Sequence, residues 1–589
     1  LNDLLLSLHP LSFVAVARLP AIFVLLAVLS FPLIPAWAQT TGIAPAQRAE
    51  EGLRRQEERL REQLQQQVPK QDLLRPEPAE SAVTELPHET PCFVIEEFRF
   101  EGDGVQRFAW LKNVVLPYRG QCIGLEGIRR IAALLDAKLI EWGYATTKTS
   151  LPAQNMSGGT LLFHVHVGRV SAVRFVEAGS DLPDKAWGTW RNAYPVSEGD
   201  VLNIRDLEQG TEQMQRLPSQ AVRNRIEPGE QADTSVVVIE RQAGSLADRM
   251  RGGLTLDNSG TEPLGKKQFS GYLSLDNPLG LNDILSLNVS SNTENLNSEH
   301  RSQSASIGYS IPFGYSTLSY NRSKNRYAQI VQGTTAHFLS SGSSSSDQFR
   351  LDHILLRNAS SKFGVYAAVS TRRARSFLDD VELLVQKRRT TNFETGINYK
   401  KLIGDAAIYL EAGYRRGMGW KDAQEDFSDS PDGLTLRPKL WLFSASITKP
   451  FAIAEQPFQY SLSINGQHTK DVTTSNDQFS IGNRYSVRGF DGESILLAES
   501  GYSLRNEVAT SFQLAESVSM QAYAGIDLGR VWGASAELLI GTKLAGAVLG
   551  LRGQWKGLQW DIGVGTPLYK PEGFTTRNTN PYLTVTYGF

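Results

Sequence analysis

"SVSMQAYAGIDLGRVWG", Ser517 to Gly533, reads differently on its odd and even positions. Val518, Met520, Ala522, Ala524, Ile526 and Leu528 fall on one side of an extended chain. Ser519, Gln521, Tyr523, Gly525, Asp527 and Gly529 fall on the other. Period two predicts a β-strand. One side is apolar throughout; the other is small or polar and carries a carboxylate. A wall between lipid and a water-filled lumen needs that division.

The same texture runs outward from this stretch. In "QFSGYLSL", Phe269, Gly271, Leu273 and Leu275 alternate with Ser270, Tyr272 and Ser274. "LQWDIGVG" (Leu558 to Gly565) and the terminal "NPYLTVTYGF" alternate too. Strands of a soluble sandwich also alternate. Here no helical pattern interrupts from about Met250 onward, and the polar faces are rich in Gly, Ser and Thr. Short turns such as "DNPLG" (Asp276 to Gly280) contrast with expected long polar loops such as "GTTAHFLSSGSSSSD" (Gly333 to Asp347). Together these predict a transmembrane barrel of about 16 antiparallel strands. A closed barrel also satisfies the backbone groups that lipid cannot. Phe589 and Tyr587, on the apolar face of the last strand, fit the aromatic ending common in outer-membrane barrels and are expected to act as its assembly signal.

Composition narrows the function. Lys+Arg 60 against Asp+Glu 62 in 589 residues leaves no basic excess for a nucleic-acid partner. At 41% hydrophobic residues the chain is not a helical membrane bundle. Near the start, Arg18 precedes "AIFVLLAVLSF" (Ala21 to Phe31), and "AWAQ" (Ala36 to Gln39) follows. A cation, a short apolar core and an Ala-x-Ala site predict a signal peptide cut after Ala38. In an exported chain the only two cysteines, Cys92 and Cys122, are expected to form a disulfide. Closing that loop would contribute roughly 3–4 kcal/mol.

"AQRAEEGLRRQEERLREQLQQQ" (Ala46 to Gln67) is a polar helix whose apolar stripe is only Leu53, Leu60 and Leu64. It fits either a solvated helix or coiled coil, or a helix seated in a polar cavity. A Pro-rich linker follows to Pro91, expected to be extended and disordered. Two similar units come next. The first opens with "FVIEEFRFEG" and contains the helix "LEGIRRIAALLDAKLIEWG", with Leu125, Ile128, Ala132, Leu135, Leu139 and Trp142 on one face. The second passes through "IRDLEQGTEQMQRL" to "SVVVIERQ". Each is read as β-α-α-β-β, a tandem repeat. His164 and His166 share a strand face, but no further ligand is nearby, so they are expected to face solvent rather than a metal.

"RYSVRGFDGE" (Arg484 to Glu493) lies in the connection expected at about 468–499. By alternation Asp527 points into the lumen, as do Arg505 and Glu507 on the preceding strand. The expectation is that this connection folds inward and that Arg488 pairs with Asp527, Glu507 being a second candidate. Gly489, Gly525 and Gly529 would permit close approach. An exposed loop above a carboxylate in pore water is the other reading of these residues.

"VRGF" (Val487 to Phe490) and "GIDLGRV" (Gly525 to Val531), with "CFVIEEFRFEG" and "GYATTK" (Gly143 to Lys148), resemble the two-partner secretion transporters that export haemolysins and haemagglutinins. The resemblance covers essentially the whole mature chain. It implies a signal peptide (1–38), a plug helix (39–67), a linker (68–91), two periplasmic POTRA domains (92–168 and 169–246) and an outer-membrane barrel (247–589). It implies that the motif arginine meets an acid on the inner wall. It implies that POTRA domains capture one large secreted partner, which crosses unfolded through the barrel. Outer-membrane lipid and the barrel-assembly machinery would be further partners. No nucleotide motif, catalytic constellation, cofactor or metal site is found, so the expected protein is a transporter and not an enzyme. A barrel-assembly insertase is the alternative, sharing barrel, POTRA units and loop motif.

Overall fold

The computed structural model describes residues 73–75, 85–177, 189–294, 299–332, 336–427 and 433–589. The expected signal peptide, polar helix and most of the linker lie outside them. In the first unit, strands β1 (Glu97–Glu101), β2 (Lys148–Ser150) and β3 (Thr160–His166) form a sheet in the order β1-β3-β2. Helix α1 (Leu125–Glu141) buries Ile128, Ile131, Leu135 and Leu139 against it. Leu125 and Trp142, expected on that face, are instead 62% and 58% exposed. They stand at the two ends of the helix, where the sheet no longer covers them. In the second unit, β4 (Arg169–Glu177), β5 (Gln220–Pro228) and β6 (Thr234–Ala243) repeat the arrangement as β4-β6-β5, with helix α2 (Ile204–Gln215) packed on it. In each sheet the β1- or β4-type strand runs parallel to the centre and the later strand antiparallel.

Cys92 and Cys122 are bonded, beside the two-residue pairing of Phe93–Val94 with Cys122–Ile123. The described parts of the linker, 73–75 and 85–91, make defined contacts, where an extended, disordered segment was expected. Glu89 accepts from the amides of Glu126 and Gly127, at 2.8 Å each, and so caps the N-terminus of α1. Those amides hold its carboxyl below the usual range. Leu73 and Arg75 donate their amides to Glu212 and to the Ala359 carbonyl.

From Met250 the chain forms 16 barrel strands. They are β7 (Met250–Asp257), β8 (Gln268–Asp276), β9 (Ile284–Asn292), β10 (Arg301–Phe313), β11 (Ser316–Gln332), β12 (His337–Arg357), β13 (Ser361–Leu378) and β14 (Arg388–Ile403). The second half is β15 (Ala406–Met418), β16 (Lys439–Ile453), β17 (Gln456–His468), β18 (Ser500–Ala515), β19 (Val518–Trp532), β20 (Lys543–Trp555), β21 (Leu558–Tyr569) and β22 (Asn580–Gly588). All neighbours are antiparallel, and β22 closes onto β7, with Thr584 opposite Asp257. Outward side chains such as Leu256, Val289, Phe349, Ile526 and Leu549 are exposed, giving the apolar surface that lipid requires. On β19 the division is clean: Ala524, Ile526 and Leu528 are exposed, whereas Tyr523, Gly525, Asp527 and Gly529 are buried.

One expected loop is a strand. "HFLSSGSSSSD" belongs to β12, a 21-residue strand paired with β11 from His337 to His353. Its serines are polar on both faces because this part rises beyond the apolar belt, so alternation vanishes although the ladder continues.

The second unit is fastened to the short-turn end of the barrel. α2 buries Gln209, Thr211, Glu212 and Gln213, an unusual polar face for a helix. Barrel turns supply the partners. Gln213 donates to the Gly314 carbonyl at 2.9 Å and Arg357 holds Glu212 through two 2.8 Å bonds. Asn282 donates to the Thr189 carbonyl at 2.9 Å.

Candidate functional site

The connection between β17 and β18 turns back into the lumen. Its limbs, Phe479–Ile481 and Leu496–Ala498, pair as a small hairpin. Ile481, Val487, Phe490 and Leu496 then bury themselves with Val531, Leu544 and Phe574 on the wall and its loops. At the tip, the Asn483 side chain accepts from the amides of Tyr485 and Ser486, at 2.9 Å each, which starts a tight turn. That turn presents Arg488 to the wall.

Asp527 is fully buried and receives Arg488 three times: from Nε at 2.7 Å, from Nη2 at 2.9 Å and from its backbone amide at 2.9 Å. The two guanidinium bonds are the bidentate fork that lysine cannot reproduce. Arg488 Nη1 reaches Glu507, and Nη2 also donates to the Asn506 carbonyl at 3.3 Å. Arg505 stands near Asp527 as a more distant cation, at 3.9 Å.

Glu507 is shared. Its other face takes Arg552, at 2.6 Å, and Arg552 continues to Asp561 at 3.1 Å. Tyr523 lies under Arg552, 3.9 Å from the guanidinium carbon, and donates to Asp561 at 2.7 Å. The chain of charges therefore crosses β18, β19, β20 and β21. Such pairs add little net stability over an apolar core, but removing one member strands the other in a dry site.

Glycines make the approach possible. A Cβ on Gly546 would lie 1.9 Å from the Arg488 carbonyl oxygen, and one on Gly565 would lie 2.8 Å from the Gly489 nitrogen. Gly525 and Gly529 similarly clear space for Arg488 and Val487. Gly489 itself has φ +113, and a Cβ there would meet the Thr566 carbonyl at 2.5 Å. The last strand completes the seat. Gly489 donates its amide to the Tyr582 hydroxyl at 2.8 Å, that hydroxyl donates to the Phe490 carbonyl at 3.0 Å, and Asn580 donates to the Gly489 carbonyl at 2.6 Å. Arg484 reaches Asn258 and Thr584, both at 3.3 Å, across the seam between β7 and β22.

The structure thus brings Val487, Arg488, Gly489, Phe490, Glu507, Gly525, Asp527 and Gly529 together. Arg552, Asp561, Tyr523, Tyr582, Gly546 and Gly565 were not read from sequence as part of this site. Their inward parity was the available signal. Tyr587 and Phe589 lie apart from it, 51% and 66% exposed, and Phe589 exchanges two backbone bonds with Gly252 at the closing seam. His166 contacts Asp233 at 3.2 Å and Ser150 at 2.8 Å, and His164 lies 3.5 Å from Glu101. These histidines are partly covered rather than fully solvated, and no cluster with metal-binding geometry occurs among the described residues.

Residues 233–553 match the family model of haemolysin secretion/activation proteins ShlB/FhaC/HecB. Residues 93–168 match the ShlB-type POTRA domain and 169–228 a POTRA domain. The outer membrane transporter CdiB-2 of Burkholderia pseudomallei is 35% identical over 88% of each chain. The haemolysin transporter ShlB of Serratia marcescens is 26% identical, covering 86% of this chain and 88% of its own. The solved structure of CdiB from Escherichia coli superposes with a TM-score of 0.79 at 28% identity, over 94% of this chain and all of that one.

Proposed function

The chain belongs to the haemolysin secretion/activation protein family ShlB/FhaC/HecB, and from that premise we propose that it carries one large partner protein, unfolded, through its barrel to the cell surface. It is an outer-membrane transporter of the two-partner secretion type, with its POTRA domains in the periplasm, and its family is one of transporters, not enzymes. The partner is a haemolysin-like, haemagglutinin-like or contact-dependent-toxin-like exoprotein.

The observation that carries this reading is the inserted loop. It is seated in the wall by ionic, hydrogen-bonded and apolar contacts alone, so a passing chain can displace it without breaking a covalent bond. Capture begins on the POTRA sheets. β2 and β5 each pair on one side only among the described strands, leaving an edge to which an extended chain can add. β5 is nine residues long and β2 three, so β5 offers the longer ladder and is the better docking strand. The proposed plug is the segment 39–67, which lies outside the described residues; the thin apolar stripe of its sequence suits a polar lumen better than an apolar core. Export uses no nucleotide; folding of the partner outside gives direction.

Comparing the exported proteins of cells with and without this gene tests the reading. Loss of one very large exoprotein, with other outer-membrane barrels unchanged, is expected. A general loss of barrels would instead support the assembly role.

A further inference from the structure

The serine-rich part of β12 lies between two strands whose outward side chains are cationic. Inward on these strands, Asn325, Tyr327, Ser344 and Ala374 are buried. Outward, the register aligns Lys324 with Ser345, Ser345 with Arg373, and Arg373 with Arg389. A second row aligns Arg326, Ser343 and Arg375. Lys324, Arg326, Arg373, Arg375 and Arg389 are all exposed. The serines between them are short. The outer face therefore forms a trough with a hydroxyl floor and cationic walls on β11 and β13, about 10 Å apart at two strand spacings.

The trough is under-compensated. Arg373 stands directly opposite Arg389, a like-charge pairing that a sheet disfavours. Neither of these, nor Lys324, has an ion-pair partner among the described residues. Of the acids near this face, Asp347 takes Arg322 at 3.4 Å, and Glu382 lies 3.8 Å from Arg375 and 3.6 Å from Lys387.

Its height on the barrel says what sits there. Toward the POTRA end, the Arg322–Asp347 row comes first, then the Tyr320–Phe349 aromatic pair, with rings 4.6 Å apart, and then Leu318 and Leu351. These belong to the apolar belt. On the neighbouring strands Arg416 and Lys439 likewise follow the Tyr414–Trp441 pair. The cations thus begin where the belt ends, on the side away from the POTRA domains.

We propose that this trough binds the phosphate groups of a phosphorylated glycolipid in the outer leaflet. Guanidinium forks and serine hydroxyls donate to the phosphate oxygens, while the lipid's acyl chains lie on Phe349, Leu351 and Leu318. The bound anions relieve the repulsion between Arg373 and Arg389 and fix the long strands β11 to β14 at the membrane surface. A second protein copy fits less well, because a cationic surface repels itself.

The test uses the full-length protein in detergent micelles, with fluorescent diphosphoryl lipid A as probe and its dephosphorylated form as comparison. The variant K324S/R373S/R389S is measured beside K401S/K449S, which removes outward cations from the POTRA-end half of the barrel. Only protein that keeps heat-resistant barrel migration is counted. The wild type is expected to prefer the phosphorylated lipid, and the triple variant to lose on the order of tenfold or more in affinity, with the control unchanged. Equal binding of both lipids, or equal loss in the control, would overturn the proposal. So would full competition by millimolar inorganic phosphate, which would mark a plain anion site. A change only in self-association would overturn it by identifying a second copy as the occupant.

Discussion

Replacing Arg488 by alanine is expected to impair export of the partner while leaving a folded, heat-resistant barrel. The guanidinium supplies the fork on Asp527 and the contact to Glu507. Without it, Asp527 remains fully buried, with one short bond from the backbone amide and Arg505 at 3.9 Å. Breaking a buried pair in this way costs about 3–5 kcal/mol. Arg505 offsets part of that, so the seated loop should become rarer by about a hundredfold. Arg488→Lys should rescue little, because one ammonium cannot donate in parallel to both Asp527 oxygens and also reach Glu507. The measurement is partner protein in the medium per unit of folded barrel in the membrane. Normal secretion by the alanine variant would remove the loop from the mechanism.

A second large effect is expected from Gly546→Val. The atom that a Cβ would strike, at 1.9 Å, is the backbone oxygen of Arg488, which cannot rotate away as a side chain can. The inserted loop must leave its seat, an overpacking cost of at least about 1–3 kcal/mol. Valine suits a strand, so β20 itself is expected to persist. Gly271→Ala is the control, since its Cβ would find its nearest neighbour at 3.4 Å, an ordinary contact. In planar bilayers the valine variant should show higher conductance, and protease added from the loop side should cut near Arg484. Wild-type conductance and protection would show that the glycine wall does not govern the loop.

The barrel was legible because lipid and lumen impose opposite demands on adjacent residues, which β19 displays without exception between Tyr523 and Gly529. For Arg488 and Asp527 the residues went only part of the way: an inward acid beside glycines marks a place for a cation, but an exposed loop fitted them equally, and only the resemblance to the transporter family favoured the pairing. Arg552 and Asp561 were not, since each is one polar residue among many facing the lumen. Only the fold brings them to Glu507 and Tyr523. Gly546 and Gly565 were missed because a glycine in a strand does not announce which backbone approaches it. β12 was misread because above the belt its outward face no longer meets lipid, while its inward face, with Ser340 and Ser344, is polar and buried, so neither face is apolar; serine also carries little strand signal of its own. The Glu89 cap joins residues 37 and 38 positions apart, a distance local pattern does not span.

The central claim is that the partner travels inside the barrel. Site-specific photo-cross-linking during export tests it most directly, with the reactive group placed at Gln521, on the inward face of β19, or at Ala524, which is exposed on the outward face. Adducts with the partner from position 521 and none from 524 are predicted. Adducts from 524 alone, or none from 521 while secretion proceeds, would contradict it.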